Sequence, residues 1–170
     1  MSLDIPPEHD TPELRAREAA AEKEARQFIR VLDPKHPIRI LDIGCGLALT
    51  SLLMTRMAAV TELILMDGEG GEKLNSFHQV TKPWSNLVRL AAIAQSASRA
   101  GMYMIVPAFP GATYPCDVVM SLLSWGHHYP VSTYAALAAR SLPVGGKLII
   151  DLRKSKSQSP DRAPPRATRL

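Results

Sequence analysis

The chain has 170 residues and a formal net charge of +4, long enough for one domain with a sizeable core and short for two. Hydrophobic residues make up 46% and charged residues 21%, a globular composition that sets aside the disordered and fibrous classes. The basic charge is concentrated at one end: Arg153, Lys154, Lys156, Arg162, Arg166 and Arg169 against Asp161 put +5 there and leave residues 1–152 at −1, so the body offers no basic surface for a nucleic acid.

Residues 1–10 read as polar and proline-bearing. Thr11-Pro12-Glu13 then supplies a hydroxyl cap, a proline at the first helical position and early negative charge, predicting a helix over 12–32. Its larger apolar groups, Phe28, Ile29 and Leu32, gather at the far end, so only its last turns are expected to be anchored. Apolar runs follow at 38–43, 63–66, 102–106, 117–123 and 147–152, the signature of strands covered on both faces. Between them lie helical stretches at 50–59, 85–100 and 131–142, the second closed by Gly101. Strand and helix alternate, which predicts an α/β, Rossmann-like three-layer sandwich with a mostly parallel sheet of about five strands. Residues 68–83 form a long polar connection carrying His78, of a length suited to a lid. Residues 154–170 have almost nothing to bury and are expected to be disordered.

Cys45 and Cys116 are far apart and show no C-x-x-C spacing, which fits a reducing compartment and no structural zinc. There is no signal-peptide pattern and no apolar run near the ~20 residues that span a bilayer. The cytoplasm is the expected location, with no membrane partner and no metal.

The chemistry concentrates after the first run, in Asp42-Ile-Gly44-Cys-Gly46-Leu-Ala48. Glycines at the carboxyl end of a parallel strand let backbone approach a ligand where a Cβ would collide. A dinucleotide site wants a third glycine where this chain has Leu49, which counts against a nicotinamide-dependent oxidoreductase. The pattern D-x-G-x-G-x-[GA] resembles motif I of the class I S-adenosylmethionine-dependent methyltransferases. Three further landmarks carry the same resemblance: Asp67-Gly68 after the second strand, Pro115-Cys-Asp117-Val-Val-Met-Ser121 at the fourth, and Leu142-Pro-Val-Gly-Gly-Lys-Leu before the fifth. Together they cover residues 38–152.

The resemblance implies S-adenosyl-L-methionine as cofactor. It places Asp42, Gly44, Cys45 and Gly46 at the methionine end, Asp67 and Gly68 at the ribose, Ala108 and Phe109 near the adenine, and Ser121 at the end of the fourth strand. The segment Ser121-Leu-Leu-Ser-Trp125-Gly-His127-His128-Tyr129-Pro130 falls where the methyl acceptor would lie. Imidazole titrates near neutrality, so His127 or His128 is a candidate base for a hydroxyl of a small molecule or sugar. Trp125 and Tyr129 are candidate pocket walls. Against this stand an exposed cap for the histidines, packing for Trp125, and methyl transfer by alignment alone. Class I members continue past the fifth strand into a helix and a closing antiparallel hairpin, for which this sequence has no apolar alternation. The expected domain division is an N-terminal segment and helix over 1–36, a cofactor-binding core over 37–153 and a basic tail over 154–170. Either the chain is shortened or the missing strands come from a partner chain; an unpaired sheet edge would favour association with a second copy, and a non-catalytic binding module is the alternative to an enzyme.

Overall fold

A computed structural model describes residues 2–32, 36–69, 83–108, 111–122, 124–125 and 130–151. Five strands, β1 (Ile38–Ile43), β2 (Val60–Glu69), β3 (Met102–Ala108), β4 (Val118–Ser121) and β5 (Lys147–Ile150), form one sheet in the order β3-β2-β1-β4-β5. Every pairing is parallel. The chain walks outward from β1 to β3, then returns to the other side of β1 for β4 and β5. Right-handed crossovers therefore put the helices of the two halves on opposite faces, and the expected α/β three-layer architecture holds.

Side-chain alternation along the strands divides the interior into two cores. On one face, Ile40, Leu63, Leu65, Val118 and Met120 pack against α1 (Pro12–Leu32), α2 (Leu49–Met57) and α3 (Pro83–Ala97). On the other, Leu41, Ile43, Ile64 and Val119 pack against α4 (Ser132–Ser141), Cys116 and Trp125. Helix α2 is buried from Leu49 through Thr55, packed together with α1 and α3 against the first face of the sheet.

Three expectations are corrected. Residues 2–10 are not a loose polar lead-in: Leu3 and Ile5 are buried in the first core together with Leu14, Ala21 and Ala25 of α1. The Leu3 amide donates to the buried Glu18 carboxylate, which also accepts from Arg15 Nη1 at 2.7 Å. Asp4 accepts from Arg56 Nη2 at 2.7 Å and from Arg99. Helix α1 is thus fastened along its whole length, its far end included, where Lys147 Nζ donates to the carbonyls of Val31 and Leu32 at 3.2 and 2.7 Å. Two apolar residues spaced i,i+2 among prolines and charges gave too little periodicity to be recognised.

The second correction concerns β2, which runs past Met66 to Glu69 because its pairing with β3 resumes, after an irregularity, at Glu69 opposite Ala108. Asp67 and Gly68 consequently belong to a strand rather than to the start of a loop. The fourth and fifth strands are shorter than expected: the Arg39 amide donates to the Asp117 carboxylate just before β4, and the pairing of β5 ends at Ile150. The turn into β5 is as expected: Gly146 N–H donates to the Pro143 carbonyl at 2.9 Å, with Gly145 at φ +84° in the third position of a type II turn. Among the described residues, no helix is long and apolar enough to cross a membrane. Residues 154–170 and His78 lie outside the described residues.

Candidate functional site

In an open parallel sheet a ligand crevice forms at the carboxyl ends of the strands, where the strand order reverses. Here that point lies between β1 and β4, and a cavity of about 600 Å³ opens there. Its floor is the segment from β1 into α2: Asp42, Gly44, Cys45, Gly46, Leu47, Ala48, Leu49 and Thr50. Asp67 of β2 forms one side and Leu122 and Ser124, after β4, another. The volume suits a ligand of nucleoside size.

The loop is held by β2. The amides of Gly44 and Cys45 both donate to the Met66 carbonyl, at 2.7 and 3.2 Å, which turns the chain sharply at the strand end. Gly44 takes φ +68°, and a Cβ there would lie 2.0 Å from Ser124 Oγ. Gly46, at φ +57°, has no atom within 4 Å of a Cβ position, so its bare backbone faces the cavity. Ala48 is also left-handed, at φ +53°, and starts α2 without a side-chain cap. A non-glycine residue in that conformation costs about 1–2 kcal/mol, spent here to aim the amides and the positive end of α2 at the cavity.

Asp42 ends at the cavity floor and is 4% exposed. Its Oδ2 accepts from Ser51 Oγ at 2.8 Å. Burial pushes its carboxyl up to about 7; the Ser51 hydrogen bond opposes this and the Asp67 charge adds to it. A folded chain that keeps a proton the unfolded chain has already released loses stability as pH rises from about 4 to about 7, and then levels off. Asp42→Asn should flatten that part of the profile, so the unfolding midpoint of the variant should fall less between pH 4.5 and 7.5 than that of the parent protein. Equal slopes in urea titrations would refute this. Burial, with the nearby Asp42 and Asp67 charges, pushes the Cys45 thiol well up, which disfavours the thiolate.

The structure brings Asp42, Gly44, Cys45, Gly46 and Asp67 to one cavity, and the other expected residues that are described do not line it. Gly68 sits in β2 beyond Asp67, and Ala108 ends β3 opposite Glu69. Ser121 is fully buried; its hydroxyl donates to the Ile43 carbonyl at 2.6 Å and accepts from the Trp125 amide at 2.9 Å, so it ties β4 to β1. Trp125 is fully buried as well, in the second core. His127, His128, Tyr129 and Phe109 lie outside the described residues. Among the described residues, no group of three or more His, Cys, Asp or Glu could hold a metal ion.

Sequence reading missed one wall. Arg17, Ala20, Ala21 and Glu24 of α1 line the cavity, and Thr50 Oγ1 donates to Glu24 at 3.1 Å. Their i, i+3, i+4, i+7 spacing is one helix face, a signal hidden by α1's uniform Ala, Glu and Arg content. A second hollow of about 230 Å³ lies at the opposite, amino ends of the strands, lined by Ile38, Asp117, Val118 and Lys147 among others. Its one carboxylate, Asp117, is held below the usual carboxylate range by Arg39, which donates through its amide at 2.8 Å and its guanidinium at 3.1 Å.

No protein-family model and no curated protein matches this sequence. Solved structures do share the fold. YjhP from E. coli is 24% identical with a TM-score of 0.51, over 75% of this chain and 48% of that one. The glycopeptide N-methyltransferase MtfA is 14% identical with a TM-score of 0.55, over 83% and 61%. A precorrin 8w decarboxylase from Methanobacterium thermoautotrophicum is 13% identical with a TM-score of 0.54, over 75% and 61%. The chain spans about half to three fifths of the length of these structures. It has the α/β Rossmann-like fold that the class I methyltransferase resemblance implied, and a fold of this kind hosts more than one reaction.

Proposed function

We propose that the chain binds S-adenosyl-L-methionine and transfers its methyl group to a small-molecule acceptor, with a hydroxyl of a small molecule or sugar as the reacting group. The observation that carries this reading is the convergence of the Gly44–Gly46 loop, Asp42 and Asp67 on one nucleoside-sized cavity at the reversal of strand order. The cavity fits the cofactor on two counts. Gly46 exposes bare backbone where a Cβ would stand in open space, and Asp67 presents a carboxylate able to accept both hydroxyls of a ribose. When bound, the sulfonium supplies an activated methyl group that needs alignment more than activation.

In this reading the loop amides and the start of α2 hold the ligand's backbone-facing side. Asp67 fixes the ribose, and Asp42, backed by Ser51, presents its carboxyl to the amino group. His127 or His128 would receive the acceptor's proton, Ala108 and Phe109 would flank the adenine, and Tyr129 would border the acceptor. Asp67→Ala removes two charge-assisted hydrogen bonds, each contributing about 1.5–3 kcal/mol, so affinity for labelled S-adenosylmethionine should fall at least ~100-fold. Retention of parent affinity by Asp67→Ala, or the absence of saturable binding to the parent protein, would sink the reading. The alternative is a module that binds the cofactor without turnover. Saturable binding with no methylated product from a library of hydroxylated acceptors is the outcome that selects it.

A further inference from the structure

Strand β5 ends the sheet on its side, and among the described residues nothing pairs with its outer edge. Its inner edge fixes where its backbone groups point. Lys147 N–H donates to the Asp117 carbonyl at 3.0 Å and Asp151 N–H to the Ser121 carbonyl at 3.3 Å, so alternate residues from Lys147 to Asp151 turn toward β4. In a parallel pairing the N–H and C=O of one residue point to the same side, which leaves both backbone groups of Leu148 and of Ile150 aimed outward. Leu148 is 46% exposed, and the exposed Val31 and Val144 lie at the same corner. A lysine on an edge strand ordinarily discourages pairing, but Lys147 is turned onto α1, where its Nζ donates to the carbonyls of Val31 and Leu32. The opposite edge, β3, contains Pro107, which cannot donate to an added strand. β5 has no such interruption.

We propose that this edge pairs with β5 of a second copy of the chain, antiparallel about a two-fold axis through Ile149, so that the two sheets join into one. This holds whatever the cavity binds. Backbone alternation and charge select the same register. With Ile149 opposite Ile149 of the second copy, Leu148 lies opposite Ile150 in both halves, and each of these pairs exchanges its outward N–H and C=O groups. Leu148 and Ile150 share one face of the sheet, so the exposed Leu148 is covered by Ile150 of the second copy. Lys147 then stands opposite Asp151 at both ends of the ladder, an ammonium against a carboxylate. An ammonium has three donors, and with two given to the carbonyls of Val31 and Leu32 one remains for that carboxylate. Moving the axis to Leu148 or to Ile150 sets Lys147 or Asp151 opposite Ile149 and loses the charge pairs.

Sedimentation velocity of the full chain tests the association, and an introduced cysteine tests the register. A short ladder is a small contact, so a monomer–dimer equilibrium half-converted between about 10 and 100 μM is expected. Leu148→Pro deletes an outward donor and leaves the bonds to β4 in place, while Asp151→Lys sets like charges opposite each other. Each should raise the dissociation constant at least ~10-fold, with thermal unfolding confirming that the variants remain folded. Residues at a non-hydrogen-bonded antiparallel pair have Cα atoms about 4.5 Å apart, within reach of a disulfide. Ile149→Cys should therefore cross-link two copies under mild oxidation, whereas Leu148→Cys, set off from the axis, and the parent protein with Cys45 and Cys116 should not. A parent chain that stays monomeric to about 100 μM overturns the proposal, and protection of its Leu148 and Ile150 amides from hydrogen exchange would then assign the edge to another segment of the same chain. A dimer indifferent to both Leu148→Pro and Asp151→Lys, or one cross-linked through Leu148→Cys in place of Ile149→Cys, overturns it as well.

Discussion

Gly44→Val should abolish measurable S-adenosylmethionine binding, with a loss of at least ~100-fold. Three costs fall on one residue. The backbone sits at φ +68°, a conformation in which an L side chain costs about 1–2 kcal/mol. Any Cβ would lie 2.0 Å from Ser124 Oγ and 2.4 Å from Ser124 Cβ, well inside contact, and Cβ cannot rotate away. Relief requires the loop to move, which breaks the 2.7 Å bond from the Gly44 amide to the Met66 carbonyl and swings the Gly46 backbone out of line. The sum, about 3 kcal/mol or more, corresponds to the stated factor. Gly44→Ala with Ser124→Gly separates the causes: removing the collision while keeping the conformational cost should restore part of the lost affinity. A Gly44→Val protein that binds as the parent does would show that the loop is not the ligand's floor.

The largest loss of stability is expected from Trp125→Ala, about 3–5 kcal/mol in urea unfolding. The indole is fully buried in the second core, edge-on to Tyr134 with ring centroids 6.0 Å apart, and its Nε1 donates to the Val131 carbonyl at 2.8 Å. Truncation therefore opens a cavity of indole size and removes the donor that fixes the entry to α4. Trp125→Phe keeps most of the volume and loses the donor, so it should cost about 1–3 kcal/mol. A stability change below 1 kcal/mol for Trp125→Ala, coupled with lost acceptor binding, would return the residue to the role of a pocket wall.

The contrast between these residues shows what the sequence could carry. The glycine loop was legible because its chemistry is local: a strand end, two glycines and two acidic residues announce themselves without knowledge of what lies opposite. Helix α1 was legible as an element, to the residue at both ends, but not as a wall of the site, because Arg17 and Glu24 resemble any solvated pair until the sheet is assembled beneath them. Leu3 and Ile5 were hidden for a similar reason, since burial of an irregular segment depends on a groove that other elements create. Ser121 shows the reverse case. A serine at a strand end near a ligand loop invites a binding role, yet its hydroxyl is already engaged by Ile43 and the Trp125 amide. The extension of β2 past Asp67 was set by its neighbour β3, a non-local pairing that hydrophobic runs do not encode.

The fastening of α1 has a mechanical consequence. The helix is a beam about 30 Å long, clamped to the N-terminal segment at one end and to the edge strand β5 at the other, with the cavity under its middle third. A beam held at both ends keeps its inner face at a fixed height, so the wall over the loop is set by contacts that lie far from the loop itself.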